Sequence, residues 1–212
     1  MNRKIYPPVG FHGDYYLMQG AAYLLKNTLV FVETGTNIGA TLHYVAGNHP
    51  SLLCYSCEAD EKQFARAKQN CAGMNNVRLY HATSQQFLPK LLPKLDVYSA
   101  VFWLDAHGRG FQWPLRDEVR MICKHVGDRS WFILIDDFQV PGKKQFQFDR
   151  YNNQVCSYAY IKDCCTVPHT VVYPSYEEKT SPYHPLVGWG LLELNKTESP
   201  FVRKFPSWSR QA

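Results

Sequence analysis

Five times along this chain a short β-rich run is followed by a helical one, and that alternation points to a parallel sheet flanked by helices. The pattern predicts strands over residues 29–33, 52–57, 77–80, 100–104 and 131–135. Helices are expected over 14–26, 39–45, 61–74, 84–92 (interrupted by Pro89) and 114–124, where Pro114 suits a first helical turn. The run Ala100 to Leu104 is apolar throughout, as a strand covered on both faces should be. Two further strands, 170–173 and 188–194, are joined by a Pro- and Tyr-bearing loop and read as an antiparallel hairpin. The expectation is a three-layer α/β sandwich with a seven-stranded, mostly parallel sheet, forming a single domain over 1–212 with its core in about 14–194. The tail after Pro200 is expected to be loosely ordered. The polar and aromatic segment 138–168, with a helix around 154–161, is long for a connection and reads as a lid or acceptor-binding insertion.

Composition narrows the class of function. With 45% hydrophobic and 19% charged residues, the 212-residue chain can fill a sizeable core and carries no signature of disorder. The net charge of +5 is scattered, apart from Lys143-Lys144 and the tail cations Arg203, Lys204 and Arg210, which falls short of a nucleic-acid footprint. The seven cysteines are read as buried free thiols in a reducing compartment. Cys54 and Cys57 have CxxC spacing, but residues three apart on a strand face opposite sides and cannot grip one metal. The first ten residues lack the apolar core of a signal peptide. No apolar stretch approaches the roughly 20 residues of a membrane span. A soluble, cytoplasmic protein is expected.

In an open α/β sheet the ligand sits beyond the carboxyl ends of the strands, so the residues just after each strand carry the argument. After the first comes Glu33-Thr34-Gly35-Thr36-Asn37-Ile38-Gly39. Gly35 permits a sharp turn, and Gly39 lets a helix start close against the strand. Glu33 stands where a dinucleotide site has its first glycine; an acid there repels a pyrophosphate and welcomes an ammonium group. After the second strand, Glu58 is placed to accept hydrogen bonds from both ribose hydroxyls of an adenosine, or to stand solvated ahead of a helix. After the third, Ser84 either contacts an adenine edge or caps the next helix, capping being preferred. Asp105 follows the fourth strand, with His107 close behind, and Asp136-Asp137 follow the fifth. Three carboxylates at neighbouring strand ends are costly unless paired, and a hard divalent cation would pair them. The bland account has one cap a helix, another meet Arg109 or Arg116, and the third stay solvated.

The turn Glu33 to Gly39, Glu58 after the second strand, Asp105 after the fourth and the closing hairpin together resemble the class I S-adenosylmethionine (SAM)-dependent methyltransferases, over about Asp14 to Leu194. The resemblance implies a Rossmann-like sheet. Within that class, Leu104-Asp105 with Ile135-Asp136-Asp137 resembles the metal-dependent O-methyltransferases of macrocin and catechol type. That likeness implies that Asp105, Asp136 and Asp137 hold Mg²⁺ or a similar divalent cation. Glu33, Gly35 and Asn37 would line the methionine part of SAM and Glu58 its ribose, with Thr36, Gly39, Ser84 and Asp105 completing the cofactor site. Catechol-type enzymes carry a lysine base shortly after the first metal aspartate; Gly108 stands there, flanked by His107 and Arg109.

His107 is the substitute, since an imidazole accepts a hydroxyl proton near neutral pH. His107 and Asp105 are thus the expected catalytic residues, acting on a small-molecule hydroxyl acceptor, a sugar or phenolic diol. Segment 138–168 and Trp113 would shape its pocket. The loop Tyr173 to Pro185 is expected to cover the site or to form a homodimer contact. The rival readings are a dinucleotide-dependent oxidoreductase, a same-fold enzyme of other chemistry such as a hydroxylase, and a cofactor-sensing protein. The missing GxGxxG and the closing hairpin count against the first, and the converging acids against the last.

Overall fold

The computed structural model describes residues 9–107, 113–178, 180–182 and 185–210. Its main sheet contains β1 (Val30–Thr34), β2 (Leu53–Glu58), β3 (Val77–His81), β4 (Ser99–Leu104), β5 (Ser130–Ile135), β8 (His169–Pro174), β9 (Gly190–Leu194) and β10 (Trp208–Arg210). The remaining two strands, β6 (Arg150–Tyr151) and β7 (Gln154–Val155), form a separate antiparallel ribbon. The order across the sheet is β10-β8-β9-β5-β4-β1-β2-β3. The first five strands run parallel, while β9 pairs antiparallel with both β5 and β8. The architecture is the expected Rossmann-like α/β sheet with a closing antiparallel pair, plus one extra edge strand.

Burial explains which strands sit where. Every residue of β1, β5 and β9 is buried, and so is all of β4 after Ser99, whereas every residue of the edge strand β3 is partly or fully exposed. From β1 the chain steps outward to β2 and β3, then returns to β4 on β1's other side. The gap between the carboxyl ends of β1 and β4 is therefore the topological switch point, where open α/β sheets bind ligands.

The helices follow their caps. In α1 (Tyr15–Lys26) the Asp14 carboxylate accepts from Tyr16 N and Leu17 N, and in α3 (Glu61–Asn70) Asp60 does the same for Lys62 N and Gln63 N. The helix expected over 61–74 stops at Asn70, because the chain turns through Cys71 and Gly73, the latter at φ +83°. The cap of α4 (Ser84–Leu91) is Thr83, in a reciprocal capping box with Gln86, and not Ser84; Pro89 lies inside the helix. Gly39, at φ +83°, precedes α2 (Ala40–Asn48). Its missing side chain matters against α3 rather than against the strand, since a Cβ there would lie 3.2 Å from Ala67 Cα. The expected helix over 154–161 divides into β7 and the single turn α6 (Tyr158–Ile161), because Asn152 and Asn153 adopt left-handed conformations that fold β6 back on β7.

The tail departs most from expectation. Residues after Pro200 form α7 (Pro200–Lys204) and then β10, which pairs antiparallel with β8. Trp208 is the reason. Its ring is buried, centred 4.5 Å from that of Trp189, and lies over Gly20 of α1, where a Cβ would fall 1.7 Å from the indole. Burying a tryptophan in this way is worth about 3 kcal/mol, enough to hold a short terminal strand. Among the described residues no helix is long and apolar enough to cross a membrane.

Candidate functional site

On the β1–β2 side of the switch point, backbone and side chains are wired together. Gly35 N and Thr36 N both donate to Cys57 O, which carries the β1–β2 ladder into the turn. Gly35 sits at φ +80°, and a Cβ there would lie 2.3 Å from Asp105 O, so only glycine lets the turn cross the end of β4. Glu33 is buried within β1, where Ser56 Oγ donates to its Oε2 at 2.5 Å; Ser56 also bonds Thr36 Oγ1. Burial, with a smaller push from Glu58, raises the Glu33 carboxyl to about 8 against the pull of Ser56. A group of that kind is neutral at pH 7 and ionises readily when a cation arrives. Glu58 accepts from Asn37 N at 2.6 Å and from Asp60 N at 2.8 Å, so its carboxylate is fixed at the mouth of the turn.

The β4–β5 side is a bed of acids and imidazoles. Asp105 N donates to Thr34 O and Asp136 N to Leu104 O, so both acids continue their ladders and face the same end of the sheet. The structure divides the three expected metal ligands. Asp105 and Asp136 gather with His12, one ligand atom from each lying within 4.8 Å of the others. Asp137, at φ +47°, turns toward His107 and Asp149 to make a second group. His107 Nε2 lies 2.8 Å from Asp137 Oδ2 and 3.2 Å from Asp149 Oδ2, while Nδ1 lies 2.8 Å from Asp105 O. Acceptors at both ring nitrogens make His107 an imidazolium. Burial pulls it down, but the Asp137 hydrogen bond and the charges of Asp105, Asp136 and Asp137 hold it up at about 10.

His12 comes from the turn before α1 and is the chief residue that sequence reasoning missed. Its Nε2 lies 2.6 Å from Asp136 Oδ2. Burial lowers His12 too, yet the charge and hydrogen bond of Asp136, with Asp105 and Asp137 further off, raise it to about 9. Burial opposes ionisation of Asp136, and His12 more than offsets that, holding Asp136 below its ordinary value. Burial and the Asp136 charge push Asp105 well above the carboxylate range, against the two histidines.

The comparisons with known proteins bear on this arrangement through the fold. The chain resembles the SAM-bound O-methyltransferase TomG of Streptomyces achromogenes, involved in tomaymycin synthesis, at TM-score 0.59 and 14% identity over 85% of this chain and 79% of that one. Cofactor-bound Rv0187 from MTB superposes at TM-score 0.58 with 14% identity, covering 92% of this chain and 84% of that one. An rRNA methylase of Streptococcus thermophilus matches at TM-score 0.51 and 12% identity over 85% and 97%. At these identities the likeness is one of fold, which this chain shares with those solved proteins. No family model matches the sequence, and no curated protein matches it.

Within this fold the remaining expected residues fall as follows. Ser84 is buried at the start of α4, facing Glu118 of α5 (Leu115–His125). Burial pushes Glu118 up to about 7, against Ser84 and Thr34. An acid at a core position of an amphipathic helix, between Leu115 and Val119, was the signal available for it. Trp113 stacks on Tyr160, ring centres 5.6 Å apart, which joins segment 138–168 to the site's flank. Arg116 pairs with Asp163 and not with a strand-end acid. Gly108 and Arg109 lie outside the described residues, as do Lys179, Tyr183 and His184 of the loop before β9.

Proposed function

We propose that this chain is a SAM-dependent methyltransferase that transfers a methyl group to a hydroxyl of a small molecule, a sugar or phenolic diol. The observation that carries the reading is the contact between the two halves of the crevice. The Gly35 turn lies directly on Asp105. A cofactor held at Glu33, Gly35, Thr36, Asn37, Gly39, Glu58 and Ser84 would thus present its reactive end to the acids. Glu33 favours the cofactor's ammonium, and Glu58 its ribose hydroxyls. SAM, when bound, supplies a methyl group already activated by the sulfonium.

In the reaction, the acceptor oxygen forms a bond to the methyl carbon as the carbon–sulfur bond breaks, and the hydroxyl proton passes to the protein. Orientation and exclusion of water supply most of the acceleration. The proton acceptor we assign is His107 Nε2, with Asp105 holding Nδ1. Because His107 rests as a cation, it accepts a proton only where Asp137 and Asp149 are first drawn off or neutralised. The strand-end acids fit a divalent cation such as Mg²⁺, because Asp136 Oδ1 is buried with no hydrogen-bond partner. Such an ion, on Asp105 and Asp136 with Asp137 beside them, would lower the acceptor hydroxyl's pKa. The dinucleotide-dependent reading has less support, since buried Glu33 occupies the place of a pyrophosphate. A single cytoplasmic domain, with the loop before β9 over the site or at a homodimer contact, completes the proposal.

The test is a calorimetric titration of chelator-treated protein with SAM, with NAD as control, each repeated with Mg²⁺. Labelled methyl transfer to catechol and to sugar diols follows. Micromolar binding of SAM alone supports the reading; binding of NAD, or of neither, overturns it. Transfer undiminished by thorough chelation would remove the metal from the mechanism.

A further inference from the structure

We propose that the third protein ligand of the strand-end cation is His12, giving a site of one imidazole and two carboxylates, His12, Asp105 and Asp136, that selects a first-row transition ion over Mg²⁺. The inference rests on the reading of the strand-end acids as a metal site, and does not require that the chain transfer methyl groups.

Four observations converge. Ligand atoms of these three residues lie within 4.8 Å of one another, and Asp137 is not among them. Asp136 is the most buried acid of the array at 3% exposure, and His12 satisfies only its Oδ2. Its Oδ1 has no partner, and a buried carboxylate oxygen left without a donor or cation is costly. The second group offers no such atom, and it holds the wettest acid, with 49% of the Asp149 side chain exposed against 25% for both Asp105 and Asp137.

The backbone around His12 is also held. Phe11, fully buried, packs edge-on against Trp103 at 5.0 Å and Tyr44 at 6.1 Å. Phe11 N donates to Thr41 Oγ1, and Ser181 Oγ donates to His12 O at 2.7 Å. His12 and Asp136 also line a small cleft with Thr180, Ser181 and Trp189, with room for little more than one water-sized ligand.

The donor set decides which ion. Mg²⁺ favours a shell of oxygens, whereas imidazole suits Fe²⁺, Co²⁺, Ni²⁺ and Zn²⁺. Mn²⁺ takes both kinds of donor and is a usable probe. Replacing the all-carboxylate set Asp105, Asp136 and Asp137 by one containing His12 therefore changes the preferred metal.

The test loads chelator-treated protein with Mn²⁺ and looks by pulsed electron paramagnetic resonance for ¹⁴N coupling from a coordinated imidazole. Wild type should show it, as should Asp137→Asn and His107→Gln. His12→Gln should lose it together with roughly 10–100-fold of Mn²⁺ affinity. Should His12→Gln fold poorly, His12→Asp supplies an oxygen in place of the nitrogen and should bind Mn²⁺ without coupling. Coupling that survives in His12→Gln or His12→Asp and vanishes in His107→Gln would place the ion in the other group. Coupling absent from wild type, or no Mn²⁺ bound at all, would equally overturn the proposal. Titrating SAM into the same samples separates the two readings. SAM binding without nitrogen coupling sinks only the His12 site, and coupling without SAM binding sinks only the methyltransferase.

Discussion

The two sides of the crevice handle buried acid in opposite ways. On the β1–β2 side each carboxylate is matched to fixed protein donors: Ser56 for Glu33, and the amides of Asn37 and Asp60 for Glu58. On the β4–β5 side the acids face one another and two imidazoles, and Asp136 keeps an orphaned oxygen. The first arrangement is complete without a ligand. The second is balanced only by protons or by a cation. Cofactor recognition should therefore be insensitive to metal, and whatever happens at the acids should not be.

The sharpest way to break this division is at the turn where the two sides meet most closely. Gly35→Ala would put a Cβ 2.3 Å from Asp105 O at a backbone angle of φ +80°. Strain and displacement together should cost on the order of 3 kcal/mol. For a chain of this size that is a fall in Tm of about 10 °C, read by thermal unfolding. Both SAM binding and Mn²⁺ binding should weaken in this variant. Loss of only one would mean that the sides are mechanically independent.

A smaller effect separates them. Glu58→Ala removes a carboxylate that orders the Asn37 and Asp60 amides and that we assign to the ribose hydroxyls. Two charge-assisted hydrogen bonds lost at an exposed site should weaken SAM binding by roughly 100-fold. The calorimetric loss should be the same with chelator as with Mg²⁺. A Glu58→Ala penalty that appears only with metal present would contradict the comparison.

How much was legible differs between the sides for the same reason. On the β1–β2 side the candidate residues lie within a few positions of a strand end, so spacing alone brought Glu33, Gly35 and Glu58 to one end of the sheet. Errors there were local: the cap of α4 is Thr83 and not Ser84, and Gly39 is small for α3's sake. On the β4–β5 side spacing found Asp105, Asp136 and Asp137 but not how they divide, because the partners come from afar. His12 is 124 positions from Asp136, in a turn where it and Phe11 take left-handed backbone that no residue-type pattern announces. Asp149 enters just before the β6–β7 ribbon, whose second strand read as the start of a helix. The tail failed similarly: Trp208 is held by Gly20 and Trp189, contacts that exist only once the sheet has formed.

The subtlest test of the comparison is a proton count at Glu33. Its carboxyl is raised from 4.5 to about 8, chiefly by burial, so the folded protein holds this proton more tightly than the unfolded chain. The stability it contributes is full below pH 4.5 and is lost as pH rises through 8. Glu33→Gln should accordingly melt with wild type near pH 5 and a few degrees above it near pH 9. An arriving ammonium reverses the preference by favouring the carboxylate. SAM binding at pH 7 should then release up to about one proton, seen as a binding heat that varies with the buffer's ionisation enthalpy. The release should fade above pH 9 and be absent in Glu33→Gln. A buffer-independent heat at pH 7 would mean that Glu33 keeps its proton and does not meet the cofactor's ammonium. The β1–β2 side would then be a structural hydrogen-bond network, and the acids across the crevice would be its only chemistry.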